Sequence, residues 1–398
     1  MLKTTDIVPL RDDLRERLTS FDPQLLSHDA RNRALDRFFS VSAGRARAGR
    51  YWRIDLESIE PEAATVSVNA ARVRIDNPSP HVIACDLLTA ARDHPDLLAR
   101  TFGTTSASKT KFGALAHAFS QLGAFVYVKA DAAADDPIVV SYDFASAVSA
   151  FPYTVVLAER GARVTIVERL EGGKAAFVCA ATEIVTGEGA DVTYAAYQQL
   201  APGSRVLTTR AAVPGRSAAT AWAIAELGSD LSVGDLSVSI GQPGTRAELT
   251  ALFFPSASQH VDVVSTIDHV VGDSSSQTIV KSAAVDEGQA RYLGNIRIAP
   301  RAQGSDASLR DDALLLSRRA HIDSVPALEI GANEVKAFHG ATVGAIDADQ
   351  IFYMESRGIE RSAAEGMIAL GFFEPAIERF PTASLRDEIR DTLARKLS

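Results

Sequence analysis

From about residue 137 to 335 the chain reads as one short strand after another, each closed by glycine or small polar residues. Arg163 to Val167 follows Gly161, and Asp191 to Tyr194 follows Gly187 and Gly189. Leu236, Val238 and Ile240 alternate with Asp235, Ser237 and Ser239, and Ala247, Leu249, Ala251 and Phe253 alternate with Glu248 and Thr250. A period of two sends one parity to a buried face and the other away from it. Strands recurring roughly every 10–15 residues predict a sandwich, a barrel or a β-helix. Asn-Gly and Asp-Gly hairpin turns are few, and the apolar residues are mostly small or branched. Both features favour stacked coils over tight hairpins.

The two ends of the chain are helical in pattern. Leu14 and Leu18 stand at i, i+4, and Ala34, Leu35, Phe38 and Phe39 form a stripe in the next helix. Arg45, Arg47 and Arg50 lead into Tyr51-Trp52-Arg53 as a solvated connector. Asp86 to Arg100 reads as a helix broken near Pro95, Lys111 to Phe119 as a helix ended by Gly123, and Ala124 to Val128 as a buried strand. Beyond Ser324, Val325, Ala327 and Glu329 alternate like a strand. The run from His339 to Gly344 has glycines near both ends, which suits a sharp turn or a close backbone approach. Asp347 with Gln350 predicts a capped helix stopped at Gly358, and Ser362 with Glu365 predicts the cap of a second. Leu385, Ile389, Leu393 and Leu397 give the final helix a narrow apolar stripe for packing on the body.

Composition narrows the function. A net charge of −9 in 398 residues argues against binding nucleic acid through a general basic field. No apolar run reaches bilayer length and the start lacks a signal-peptide core, so the expectation is a cytoplasmic protein off the membrane. Cys85 and Cys179 are the only cysteines, which excludes a zinc ribbon, a disulfide framework or a four-thiolate cluster on this chain alone. There is no nucleophile elbow, no dinucleotide fingerprint and no P-loop, since Gly173-Lys174 lacks the earlier glycine and the following hydroxyl. Ser106-Ala107-Ser108-Lys109 matches S-x-x-K without its companion motifs. None of these motifs therefore supplies a site here, and if ATP drives the system, another chain hydrolyses it.

The stretch VKAFHGATVG…DQIFYMESRGI…GF, with KFGALAHAF…GAFVYV and QHVD…IDH upstream, resembles the SufB/SufD family of SUF iron–sulfur cluster assembly scaffolds. The HGATVG spelling is closer to the SufD branch. The resemblance implies a mainly β protein, a right-handed parallel β-helix (solenoid) core flanked by N- and C-terminal helical segments. The expected division is a mostly helical region at 1–130, the β-helix at 131–340 and a helical domain at 341–398. It further implies a non-catalytic scaffold, not an enzyme, that pairs with a SufB-like subunit and binds a SufC-like ABC ATPase, with a homodimer of the isolated chain left open. No cofactor is expected on this chain alone; a transient iron–sulfur cluster or iron would sit at the interface with SufB. Two rival readings are a SufB-like chain that builds the cluster itself and a β-helix carbohydrate-active enzyme.

His339 is the first candidate residue. Its imidazole can ligate iron or wall a cluster-assembly site; a structural histidine bonded to a backbone carbonyl is the other reading. The family often has cysteine two positions earlier, where this chain has Ala337. His260, Asp262 and Asp268 share one strand parity and could hold a metal, though a polar strand face is usually just solvated. His117 and His269 read as interior groups. In the helical tail Phe352, Tyr353, Met367, Phe372 and Phe373 are candidates for the SufC-facing surface.

Overall fold

The computed structural model describes residues 4–42, 54–77 and 79–397, so the arginine-rich connector through Arg53 lies outside the described residues. The strands build two sheets that face each other. One holds nine strands in the order Ala71–Asp76, Ile138–Phe144, Arg163–Gly172, Asp191–Leu200, Ala219–Glu226, Arg246–Phe253, Ser275–Ala284, Asp306–Leu315 and Lys336–Ala345. The other holds ten, running from Val82–Asp86 through Gly123–Val128, Tyr153–Ala158, Phe177–Thr186, Arg205–Val213, Leu231–Ile240, His260–His269 and Gln289–Ile298 to His321–Ile330, with the short Ser149–Ala150 beside Phe177–Thr186. From Ile138 onward successive long strands alternate between the sheets, and neighbours within each sheet are parallel. This is a β-solenoid.

Alternation and register explain the stacking together. Ile184, Ala212, Val238, Ile267, Ile296 and Leu328 are in register across six strands and all point inward. Each turn thus lays its apolar parity on that of the turn before, and no turn closes a core alone. The corners permit close stacking only where a side chain is missing. A Cβ on Gly187 would meet Arg160 N at 2.5 Å, and one on Gly215 would meet the Gly187 carbonyl carbon at 2.6 Å.

The outer faces are covered by helices, as both-side burial of parallel sheets requires. Thr4–Leu18, His28–Ser40 and Lys111–Ala118 cover the ten-stranded sheet, packing Leu14, Leu18, Leu35 and Phe38 with Cys179, Leu207, Val233 and Val264. The final helix, Ala383–Leu397, covers the nine-stranded sheet; its Leu385, Ile389 and Leu393 are fully buried against Ala223, Ala225, Leu252 and Ala283. The stripe therefore packs on the protein's own body.

Several local expectations need correction. Gly123 opens a strand and does not end the helix, which stops at Ala118. His339 to Gly344 is neither a turn nor a close approach: it lies in Lys336–Ala345, and a Cβ on Gly344 would meet nothing within 4 Å. Ser362 caps nothing, because its helix begins at Arg361 behind Glu360, and Arg361 and Glu365 pair at 3.0 Å. The Asp347 cap, the Gly358 stop (φ +84°) and the break at Pro95 are present. β-Structure begins before residue 131, with three strands of the N-terminal region joining the sheets, and continues to Ala345.

Lys396 reports how tightly the last helix is seated. Its ammonium donates to Leu227 O at 2.8 Å and Gln259 Oε1 at 2.6 Å, 5.7 Å from the Phe254 ring centre. Burial pulls its pKa from 10.5 down to about 8. Between those values the unfolded chain still holds a proton the folded chain has lost, so stability rises with pH across that window. Relative to Lys396→Met, wild type should gain about 2–3 kcal/mol between the two ends of the window in urea titrations. A pH-independent difference would contradict the burial.

Candidate functional site at the open end of the solenoid

The two ends of the solenoid are finished differently. At the N-terminal end Ala71–Asp76 and Val82–Asp86 pair antiparallel with their neighbours, reversing the chain direction there. At the C-terminal end His321–Ile330 and Lys336–Ala345 are simply the last strands of their sheets. Their outer edges present backbone N–H and C=O groups to any strand that approaches. Large apolar side chains stand out beside them: Phe338 is 60% exposed, Val343 47% and Ile330 44%. Almost every residue from Lys336 to Ala345 is exposed, while the strand beneath, Asp306–Leu315, buries Leu309 and Ala313.

His339 belongs to this end. It is in register with the buried Leu309, so its imidazole occupies an inward position on a turn that has nothing above it, and it is exposed. Ala337, on the same parity, packs against the core. On the turn beneath, in register with Ala341, lies Asp311, a residue the sequence reading missed. It is 1% exposed; the Ser324 hydroxyl donates to its Oδ2, and its Oδ1 has no hydrogen-bond partner. Burial, with the Asp312 charge adding to it, pushes this carboxyl up to about 7. Its parity with Leu309 and Ala313 was the signal available in the sequence.

The other candidates do not gather there. His260, Asp262 and Asp268 share a strand face, but six residues separate the two carboxylates, roughly 20 Å along a strand. Asp262 is 1% exposed and its Oδ2 lies 2.8 Å from Arg291 Nη2, while Asp268 faces Arg297 at 3.7 Å. The three therefore do not form one metal site: each carboxylate is matched by an arginine on the next strand. Among the described residues no cluster of three or more His, Cys, Asp or Glu is arranged for a metal ion. His117 is half-buried between Phe102 and Tyr153 and His269 is buried between Ser274 and Ser276, and desolvation lowers both to about 4.

Neither cysteine is near the open end. Cys85 is half-buried on the strand at the opposite end, and burial raises its thiol to about 11. Cys179 is fully buried, donates to Phe112 O, and is raised further. Both are thiols at neutral pH and poor nucleophiles or ligands. A cluster at this end would draw its thiolates from elsewhere.

The helical tail divides its aromatic residues. Phe352, Tyr353 and Met367 are exposed at 72%, 60% and 56%. Phe373 is fully buried against Phe254, and Phe372 is covered by the Lys281 ammonium 4.4 Å from its ring centre. These two anchor the tail to the solenoid and are removed from the candidate partner surface. No helix among the described residues is long and apolar enough to cross a membrane.

Comparison with known proteins converges on one family. The family described as SUF system FeS cluster assembly, SufBD core domain, matches residues 142–372, more than half of the chain. The chain is 28% identical over 324 residues to the iron–sulfur cluster assembly protein SufD of Bacillus subtilis, covering 79% of this chain and 74% of that one. It is 27% identical over 305 residues to an iron–sulfur cluster assembly SufBD family protein of Staphylococcus saprophyticus, covering 75% of this chain and 66% of that one. A protein of the same description from Staphylococcus epidermidis matches equally, at 27% over 305 residues.

Proposed function

Because the chain belongs to the SufB/SufD family of SUF iron–sulfur cluster assembly proteins, we propose that it is a non-catalytic scaffold subunit, pairing through its open end with a SufB-type chain. Its helical tail would bind a SufC-type ATPase. One observation carries the pairing: the C-terminal end finishes on the last strand of each sheet, with the large apolar side chains of Phe338, Val343 and Ile330 standing out beside them. A second solenoid meeting it end to end would satisfy both strand edges at once and cover those apolar side chains.

The chemistry is divided accordingly. This chain brings an imidazole, His339, to the seam, and its two thiols are remote and protonated. Thiolates for the nascent cluster would come from the partner, with His339 as an iron ligand or a polar wall. The chain carries no P-loop, so ATP would be hydrolysed by the subunit bound at the tail, through Phe352, Tyr353 and Met367. Movement of the tail would reach the seam because Phe373, Ile377 and Phe380 are buried against strands of the solenoid.

The test is reconstitution with purified SufB-type and SufC-type partners, read by size exclusion and by iron and sulfide content. His339→Ala should leave the assembly intact and lower the cluster yield several-fold. A Phe352→Ser/Met367→Ser chain should keep the SufB-type partner and lose the ATPase. Equal cluster yield with His339→Ala removes that residue's role, and a chain that ignores both partners removes the scaffold reading.

A further inference from the structure

Two ladders of alternating charge climb the outer face of the ten-stranded sheet and stop at the open edge. Asp262, Arg291 and Asp323 are in register across the last three strands, and six residues further along the same strands stand Asp268, Arg297 and Glu329. In the first, Arg291 Nη2 is 2.8 Å from Asp262, and on the edge strand His321 Nε2 is 2.8 Å from Asp323. In the second, Arg297 lies 3.7 Å from Asp268 and 3.5 Å from Glu329. Both ladders therefore run acid, base, acid, and both end on an acid that is only partly exposed. A groove of about 560 Å³ beside the second ladder is lined by Asp268, Arg297, Glu329 and the exposed Ile330.

We propose that Asp323 and Glu329 select the partner at this edge: the strand they accept carries two basic side chains about six residues apart, so that each ladder gains a further rung across the seam. The inference rests on the pairing reading above and names the chemistry of the partner's edge. Residues directly opposed on paired strands approach to roughly 4.5–5.5 Å between Cβ atoms, where opposite charges stabilise and like charges destabilise. The effect strengthens as the seam sheds water. Two acids at fixed spacing also set register, since a slip by one residue sends the basic side chains to the other face. The occupant is thus a second solenoid with a basic edge; an acidic or neutral edge is disfavoured by the same ladders.

Affinity for the purified SufB-type partner should be measured at low and high ionic strength, about 0.05 and 0.5 M, where screening differs several-fold in range. Wild type should bind more weakly in high salt. Asp323→Lys/Glu329→Lys should raise Kd at low salt by at least about tenfold, or 1.4 kcal/mol, and reverse the salt dependence. Asp323→Asn/Glu329→Gln should fall between the two, and this conservative pair keeps the test alive if the reversed chain does not fold. Glu188→Lys, at an exposed corner away from the edge, should change nothing. Exchanging the facing basic residues of the partner for acids should restore binding to the reversed chain. Equal Kd and equal salt dependence for wild type and reversed chain overturn this inference while leaving the pairing intact. No complex with wild type overturns both.

Discussion

Phe338→Asp should leave the isolated chain folded and remove its ability to pair with a SufB-type partner. Phe338 stands 60% exposed on the last strand of the nine-stranded sheet, in register with Ser308, beside Gly340. In the isolated chain the change therefore exchanges one solvated side chain for another, and surface substitutions of that kind stay within about 0.5 kcal/mol. In the seam it removes an aromatic anchor and buries a carboxylate. Truncated aromatic anchors at the centre of an interface cost about 2 kcal/mol or more, and a desolvated charge without a partner adds to that. The expected outcome is a Kd raised at least about a hundredfold, or 2.7 kcal/mol, with a melting temperature close to that of wild type. Titration calorimetry with differential scanning calorimetry checks both halves. An unchanged Kd would show that the partner does not cover this end.

Asp262→Ala should be among the most damaging single substitutions in the solenoid, although Asp262 lies two strands back from the open edge. The Asp262–Arg291 pair is 1% and 2% exposed, with Nε and Nη2 of Arg291 at 3.1 and 2.9 Å from Asp262 Oδ1. Removing one member of a buried pair leaves the other charge poorly compensated, at a cost of about 3–5 kcal/mol. For a chain of 398 residues that corresponds to a fall in melting temperature of about 4–6 °C. Asp262→Leu/Arg291→Met should recover most of the loss, because two apolar side chains of similar volume fill the same space without needing each other. Chemical denaturation of the single and double variants completes the cycle. A single variant that loses less than about 1 kcal/mol would show that Arg291 is held by its surroundings without Asp262.

Parity along the strands was legible before any coordinates. Val261, Val263, Ile267 and His269 share one parity and face the interior, while His260, Asp262 and Asp268 face outward. A period of two is a local property of the backbone, and burial of one face forces it into the composition. The helix signals at Asp86, Asp347 and Gly358 were legible for the same reason, since a cap acts within one turn of the chain. Ser362 misled because Glu360, with no capping side-chain bond, had already started the helix two residues earlier. Gly340 and Gly344 misled because glycine marks permission for a turn, not the presence of one.

The metal reading of His260, Asp262 and Asp268 failed for a different reason. Sharing a face does not mean sharing a place, and the partner of Asp262 is Arg291, 29 residues away and one turn further along. Phe372 and Phe373 show the same limit: their neighbours, Lys281 and Phe254, lie far back in the chain.

By itself the sequence determined the period of the strands, the parity that turns inward, the helical ends and the chemistry this chain lacks. Each of those follows from residues within a few positions of one another. Only the tertiary structure decided which turn lies on which, and hence that both charge ladders, His339 and Phe338 arrive at the same end of the solenoid. Register between turns is set by packing across about thirty residues of intervening chain, and no local pattern carries that distance.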